Sequence, residues 1–137
     1  MTDKTIKLIA FIVILIHGIG HFQGVLSSLG VKFTKSTTSM SWLLKGLGAG
    51  INRTLCLAFY LASAALGIIT ALCFYGMLFA QNSWQDLALT TAIFSALSLI
   101  LFPNALAMAF NKVGAILVDL LIFYSILFNG QWPGAIF

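Results

Sequence analysis

Two histidines and one aspartate are the side chains in this sequence that are best suited to chemistry. His17 and His21 are four residues apart in an apolar stretch, so they share one face of a helix. Asp119 lies inside another apolar stretch, where a lone carboxylate costs at least about 2.5–3.5 kcal/mol on insertion scales. Such an acid must be protonated or partnered. The sequence therefore predicts a His/His/Asp polar site inside the fold.

The depths of these residues in a bilayer suggest which side chains meet. At 1.5 Å per residue, His21 lies about 21 Å beyond Lys7, which leaves about 9 Å to the opposite face of a core about 30 Å thick. Asp119 lies about 10 Å beyond Lys112, measured from that same face. Because the first and last helices are expected to be antiparallel, we expect His21 and Asp119 to form a hydrogen bond, with His17 one turn away.

Several chemistries fit this trio, and the sequence leaves them open. His17, His21 and Asp119 could supply three ligands to a divalent metal and leave one position free. One histidine could ligate a haem iron, or the group could form a proton, quinone or lipid site. Gly18 stands where the H-E-x-x-H motif has its glutamate, so the general base of a zinc protease is missing. The remaining interpretation is polar contact between helices that serves packing alone, worth about 0.6–2 kcal/mol per contact.

Composition indicates which elements must position these residues. The chain has 137 residues, of which 61% are hydrophobic and 7% charged, and its mean hydropathy is +1.06. A soluble domain carries about 25% charged residues, so this composition excludes a soluble globular protein. We predict an all-α fold, a four-helix transmembrane bundle forming a single integral membrane domain over residues 1–137. The expected spans cover approximately residues 6–29, 52–80, 84–102 and 105–128.

Small residues continue the histidine face of the first helix. Gly20, Gly24 and Ser28 follow nearly the same stripe, and Gly20-x-x-x-Gly24 is a small-xxx-small pattern. Small residues let two helix backbones approach closely. The pattern therefore predicts that this stripe packs against another helix and turns His17 and His21 into the bundle.

Other polar residues in or near the spans have local interpretations. We expect Ser95 and Ser98 to donate hydrogen bonds to backbone carbonyls one turn earlier. Pro103 predicts a turn between the third and fourth spans. Asn52 is expected to begin the second helix at the headgroups.

Basic residues at the ends of the apolar segments predict orientation and partners. The first and third loops hold five Lys and Arg residues against two on the other side, which places those loops in the cytoplasm and both termini outside. Lys45, Arg53 and Trp42 are expected to contact lipid headgroups. This placement argues against nucleic-acid binding despite the formal charge of +4. The expected partners are the lipid bilayer and a homo-oligomer or larger membrane complex.

Two segments resemble a group of small bacterial four-span membrane proteins, largely uncharacterised and similar in layout to DoxX-like proteins. Residues 16–24, IHGIGHFQG, resemble the H-x-x-x-H-x-x-G of their first helix, and residues 113–119, VGAILVD, resemble their last helix. The resemblance implies a four-helix bundle and an association with quinone-linked redox proteins. We expect the chain to lie in a bacterial inner membrane, with both termini on the outer, periplasmic side. The chain has no CxxC redox pair.

Three functions remain open from the sequence. The first is a non-enzymatic membrane subunit or binding module whose core carries His17, His21 and Asp119. The second is a metal- or haem-binding redox component that uses the same residues. The third is a small proton-coupled transporter. Neither a nucleophile–base pair nor a phosphate-binding loop is apparent, so an enzyme is the less favoured reading.

Overall fold

The computed structural model describes residues 3–78 and 83–127, and their regular secondary structure is helical. Five α-helices and a short 3-10 turn at Lys45–Leu47 follow in order. Four segments are long and apolar enough to cross a membrane, the first being Lys4–Ser28. The predicted all-α bundle with four membrane-length segments is confirmed. The helices are α1 (Asp3–Gly20), α2 (Phe22–Ser28), α3 (Ala49–Tyr75), α4 (Trp84–Leu101) and α5 (Ala109–Leu127).

The ends of α3 differ from the expected span of residues 52–80. The helix begins at Ala49, directly after Gly48, whose φ of +84° suits glycine. Gly76 caps its end in the left-handed conformation, with φ +88°, and Met77 N donates a hydrogen bond to Leu72 O. This is a Schellman-type termination that glycine favours, so the helix stops at Tyr75. Residues 79–80 lie outside the described residues.

The last span also begins at a different place from the one expected. The chain leaves α4 at Leu101 and resumes helix at Ala109, so there is a turn at Pro103, and α5 starts four residues later than residue 105. Residue 128, the expected end of that span, lies outside the described residues.

The bundle interior contains small and hydroxyl-bearing residues, whereas many large aliphatic side chains face outward. Ala64, Ala71, Ala88 and Ala92 are buried, and Ile16 is 62% exposed. In lipid, large apolar side chains gain little from burial, so close packing and polar contacts between helices hold the bundle. Such an inside-out distribution is compatible with an integral membrane protein.

Helix α3 is the central element of the bundle, because it packs against α1, α2 and α4. Two hydroxyl pairs join α3 to α4: Ser63 Oγ lies 3.1 Å from Ser98 Oγ, and Thr70 Oγ1 lies 3.0 Å from Thr91 Oγ1. All four side chains are fully buried. Among the described residues, helix α5 packs mainly on α4 and α1 and is the more peripheral span.

Helices α1 and α3 approach closely at a pair of glycines. A Cβ added at Gly18 would lie 2.8 Å from the backbone nitrogen of Ile68, and one added at Gly67 would lie 2.7 Å from Gly18 Cα. The packing contact expected at Gly20 is not made, since a Cβ there would meet no atom of the described residues within 4 Å. Gly24 does pack, against the ring of Tyr60. The backbones thus cross at Gly18, two residues before the first glycine of the predicted stripe.

The first loop folds onto the α4–α5 turn. Thr38 N donates to Asn104 O at 3.1 Å, and Trp42 Nε1 donates to Ile100 O at 2.6 Å. Asn52 is fully buried and organises the loop: its Oδ1 accepts from Ser41 N, and its Nδ2 donates to two backbone carbonyls. Asn52 therefore uses its amide within the protein, three residues after the start of α3 at Ala49. Both loops lie at one end of the bundle.

We predict that Gly18→Ala lowers the free energy of unfolding by about 1–3 kcal/mol, because its methyl group would overlap backbone atoms of α3 that have no room to move. The measurement is reversible unfolding by sodium dodecyl sulfate in mixed micelles, followed by far-ultraviolet circular dichroism. Gly20→Ala is the matched control on the same helix. It should be neutral, or stabilising by up to about 1 kcal/mol through helix propensity. An equal loss of unfolding free energy in both variants would contradict a close crossing of α1 and α3 at Gly18.

Candidate functional site

Asp119 connects three helices inside the bundle. Its side chain on α5 is almost fully buried, and its Oδ2 accepts a hydrogen bond of 2.6 Å from Ser95 Oγ on α4. Its Oδ1 lies 3.2 Å from His17 Nε2 on α1. A hydrogen bond to a carboxyl group is among the stronger kinds, and it offsets part of the cost of burial. The first span thus meets Asp119 through one of its two histidines, His17.

The partner of Asp119 is His17, and the hydrogen bond expected from His21 is wrong. Helix α5 begins at Ala109, three residues before the Lys112 marker. Lys112 therefore lies inside the helix and does not mark the start of the span. The packing of α5 against α1 brings the carboxyl group to the level of His17, one turn before His21.

Ser95 also departs from its expected partner. Ser98 donates to Phe94 O, one turn earlier, at 2.7 Å as expected, but the hydrogen bond recorded for Ser95 goes to Asp119. A carboxylate oxygen is a stronger acceptor than a backbone carbonyl already bonded within its helix. Ser95 is therefore a site residue that the sequence pattern did not reveal.

His17 and Asp119 approach each other without a well-directed hydrogen bond. Their 3.2 Å separation is an ion-pair distance, yet neither His17 Nε2 nor Asp119 Oδ1 has a hydrogen-bond partner of good geometry among the described residues. Nδ1 of His17 is equally unpartnered. The imidazole consequently retains hydrogen-bonding capacity beyond its contact with the acid.

His21 is the buried residue whose hydrogen-bonding capacity is least used. It is 1% exposed, and neither ring nitrogen has a partner among the described residues. Its ring lies edge-on to His17 at 4.8 Å and tilted to Tyr60 at 5.8 Å. The Tyr60 hydroxyl donates instead to Phe102 O at 3.0 Å. A neutral imidazole carries one donor and one acceptor, and leaving both unpaired when buried costs free energy.

An open cleft of about 300 Å³ lies beside the two histidines, between α1 and α5. Its walls are mainly apolar, and Gly20 and Gly114 both line it. Asn111, which also lines it, donates from Nδ2 to Gln23 Oε1 at 3.0 Å and so joins α5 to α2. The lining residues include no Lys, Arg, Asp or Glu. They are Val13, Ile16, His17, Gly20, His21, Leu106, Phe110, Asn111, Gly114, Ala115 and Val118.

The arrangement of the trio bears on the metal interpretation. Across residues 3–78 and 83–127, no three His, Cys, Asp or Glu side chains are grouped so that they could hold a metal ion. His17 turns Nε2 toward Asp119, while the ring of His21 packs at a right angle to the ring of His17. The described residues therefore give no support to the three-ligand site expected from His17, His21 and Asp119.

The other sequence-predicted residues lie at the loop end of the bundle. Ser28 is buried, its hydroxyl donates to Val25 O at 2.6 Å, and its carbonyl accepts from Arg53 Nε. Lys45 and Trp42 are exposed at the same end. The residues that sequence reasoning missed are Ser95, Asn111, Gln23 and Gly114, since nothing in an apolar span shows which small or polar side chain meets which neighbour.

Fold and site together define a class: a helical bundle with four membrane-length segments, a buried carboxyl–imidazole centre and a cleft that opens beside it. Compared with protein families, curated proteins and solved structures, the chain matches none. The function must therefore be argued from the site.

We predict that Ser95 and Asp119 are energetically coupled by about 1 kcal/mol, the size typical of strong interhelical hydrogen bonds in membranes. The measurement is a double-mutant cycle of Ser95→Ala and Asp119→Ala on the free energy of unfolding in mixed micelles. Ser98→Ala with Asp119→Ala is the matched control cycle and should be additive, because Ser98 contacts Phe94 O and Ser63 instead. Additivity of the Ser95 cycle would show that the contact contributes nothing.

Proposed function

We propose that this protein is a non-enzymatic integral membrane binding module whose ligand is a neutral lipophilic molecule with a hydroxyl or carbonyl head group. The observation that carries the proposal is His21: it is fully buried, both of its ring nitrogens are unpartnered among the described residues, and it lines an apolar cleft. Because both nitrogens are themselves buried, a ligand head group in the cleft supplies the missing hydrogen bonds once the side chains that cover the ring move aside. Unpaired buried donors and acceptors are costly, so such a ligand gains affinity by pairing them.

The lining of the cleft supports a neutral ligand over a charged one. Binding of an anionic headgroup is favoured by Lys or Arg, and none of the lining residues carries either side chain. The polar groups available are two imidazoles and one amide, which together donate and accept hydrogen bonds. A volume of about 300 Å³ is at the lower end of the range for small-molecule pockets. It suits a single ring-sized head group whose tail remains in lipid.

Asp119 and Ser95 act in this proposal as positioning residues. If the Nε2–H of His17 is directed toward Asp119, the unpartnered Nδ1 becomes an acceptor for a ligand hydroxyl. Ser95 in turn holds the carboxyl group through Oδ2. The centre therefore holds one imidazole in place and leaves His21 free to pair with a ligand.

We predict that decylbenzoquinone, a carbonyl-headed probe, binds saturably in phosphatidylcholine nanodiscs and shifts the imidazole ¹⁵N signals of His21. The chain contains two histidines, so protein without a histidine tag gives ring signals from these residues alone. His21→Phe, observed through His17, should bind the probe about tenfold more weakly, the equivalent of about one hydrogen bond.

Decylbenzene is the matched probe, because it has the same tail and an aromatic ring but no carbonyl oxygen. It should produce no saturable shift of the histidine signals. Equal binding of the two probes, or undiminished binding of decylbenzoquinone to His21→Phe, would overturn the proposed function.

The proposal places the chain in a bacterial inner membrane with the loop end of the bundle in the cytoplasm. The first loop and the α4–α5 turn are tied together at one end, and this supports counting their basic residues as one cluster. Lys32, Lys35, Lys45 and Arg53 are exposed there, which fits the positive-inside rule. Arg53 and Lys45 would then lie at lipid headgroups, with Trp42 at the same depth.

We predict that Lys35→Cys reacts with a membrane-impermeant maleimide in inverted vesicles and is protected in intact spheroplasts. The native Cys56 and Cys73 are buried and should contribute no background. Lys4→Cys, near the opposite end of α1, is the matched control and should show the reverse pattern. The opposite result at both positions would invert the orientation.

A further inference from the structure

The glycines of the membrane-length helices fall into two groups according to what surrounds them. Gly18, Gly24 and Gly67 are in tight contact, since an added Cβ would lie less than 3.0 Å from a neighbouring atom. At Gly20 and Gly114 an added Cβ would meet no atom of the described residues within 4 Å. Both of these residues line the cleft, one from α1 and one from α5.

Helix packing does not account for Gly20 and Gly114. Glycine in a helix interior is destabilising relative to alanine, and an alanine methyl group would have room at either position. What the two glycines do provide is empty space on both walls of the cleft, beside His17 and His21. The absence of both side chains keeps a slot open between α1 and α5.

The surroundings of the slot indicate from which side it is accessible. Toward the loops, the hydrogen bond between Asn111 and Gln23 joins α5 to α2, and Leu106 is buried there. Along the sides of the cleft, Ile16 is 62% and Phe110 is 70% exposed. These exposed apolar side chains belong to the lipid-facing surface of a membrane-spanning helix pair. The mouth of the cleft therefore opens toward lipid.

We propose that Gly20 and Gly114 are specificity-determining residues that admit a flat, ring-sized head group from the bilayer sideways to His21. This inference rests on the proposed function and deepens it by naming the path and the shape of the ligand. His21 supplies the hydrogen bonds, and the two glycines decide whether the head group can reach them. A leucine at either position would begin in open space, since its Cβ would meet no atom of the described residues within 4 Å, and its side chain would take up room in the slot.

The test uses the full chain in phosphatidylcholine nanodiscs, with decylbenzoquinone as the probe. The readout is the ¹⁵N signals of His21, or those of His17 in the His21→Phe variant. Gly20→Leu and Gly114→Leu should each bind about tenfold more weakly than the parent protein, because each leucine occupies space that the ring needs. Gly50→Leu is the matched control. Gly50 also lies in a helix with no atom within 4 Å of an added Cβ, but on α3 and outside the cleft. Its binding should remain at the parental level.

Circular dichroism checks that the leucine variants keep their helical content. If either fails to fold, the double variant Gly20→Ala/Gly114→Ala replaces it and must bind at least about threefold more weakly. Parental binding by the folded glycine variants would overturn the inference, and so would an equal loss in Gly50→Leu. If His21→Phe weakens binding in the same assay while the glycine variants do not, the path is wrong and the binding module stands. If no variant weakens binding, both proposals fail.

Discussion

A carboxyl group buried among apolar helices must be given hydrogen-bond partners, and the position of α5 depends on how Asp119 obtains them. Ser95 provides one partner from α4, and His17 approaches from α1. Apart from this centre and a small alanine-lined cluster at Ile122, α5 exposes much of its apolar surface. Apolar burial hardly distinguishes one rotation of such a helix in lipid from another. The acid therefore sets which face of α5 turns inward.

The two sides of the bundle satisfy their polar groups differently. Between α3 and α4, hydroxyl groups pair with each other, as Thr70 does with Thr91. Between α1 and α5, the two imidazoles keep unpartnered nitrogens next to an open cleft. Buried polar groups are normally paired, so unpaired ones in a cavity point to a ligand. The contrast within one bundle is what singles out this cleft as the candidate site.

Close packing and open space are similarly divided along a single helix. Gly18 brings α1 against α3 at a backbone crossing, and two residues later Gly20 faces the cleft. Just after Gly20, the chain makes a 3-10-type hydrogen bond, in which His21 N donates to Gly18 O, three residues earlier. Helical steps of this kind often accompany functional positions. One short segment thus anchors the span on one side and presents an imidazole on the other.

Composition and apolar periodicity were sufficient to predict four membrane-length helices, because charges are excluded from lipid along the whole length of a span. The same exclusion singled out His17, His21 and Asp119. What the sequence left undetermined was the pairing: Asp119 meets His17 and not His21, because the depth and rotation of α5 are set by its contacts with α1 and α4, which depth arithmetic does not contain. Ser95 and the cleft glycines were equally hidden, since a small residue in an apolar run looks the same whether it packs, donates or leaves space. Contacts between helices distant in the chain are chosen by rotation and depth together, and only the assembled bundle specifies both.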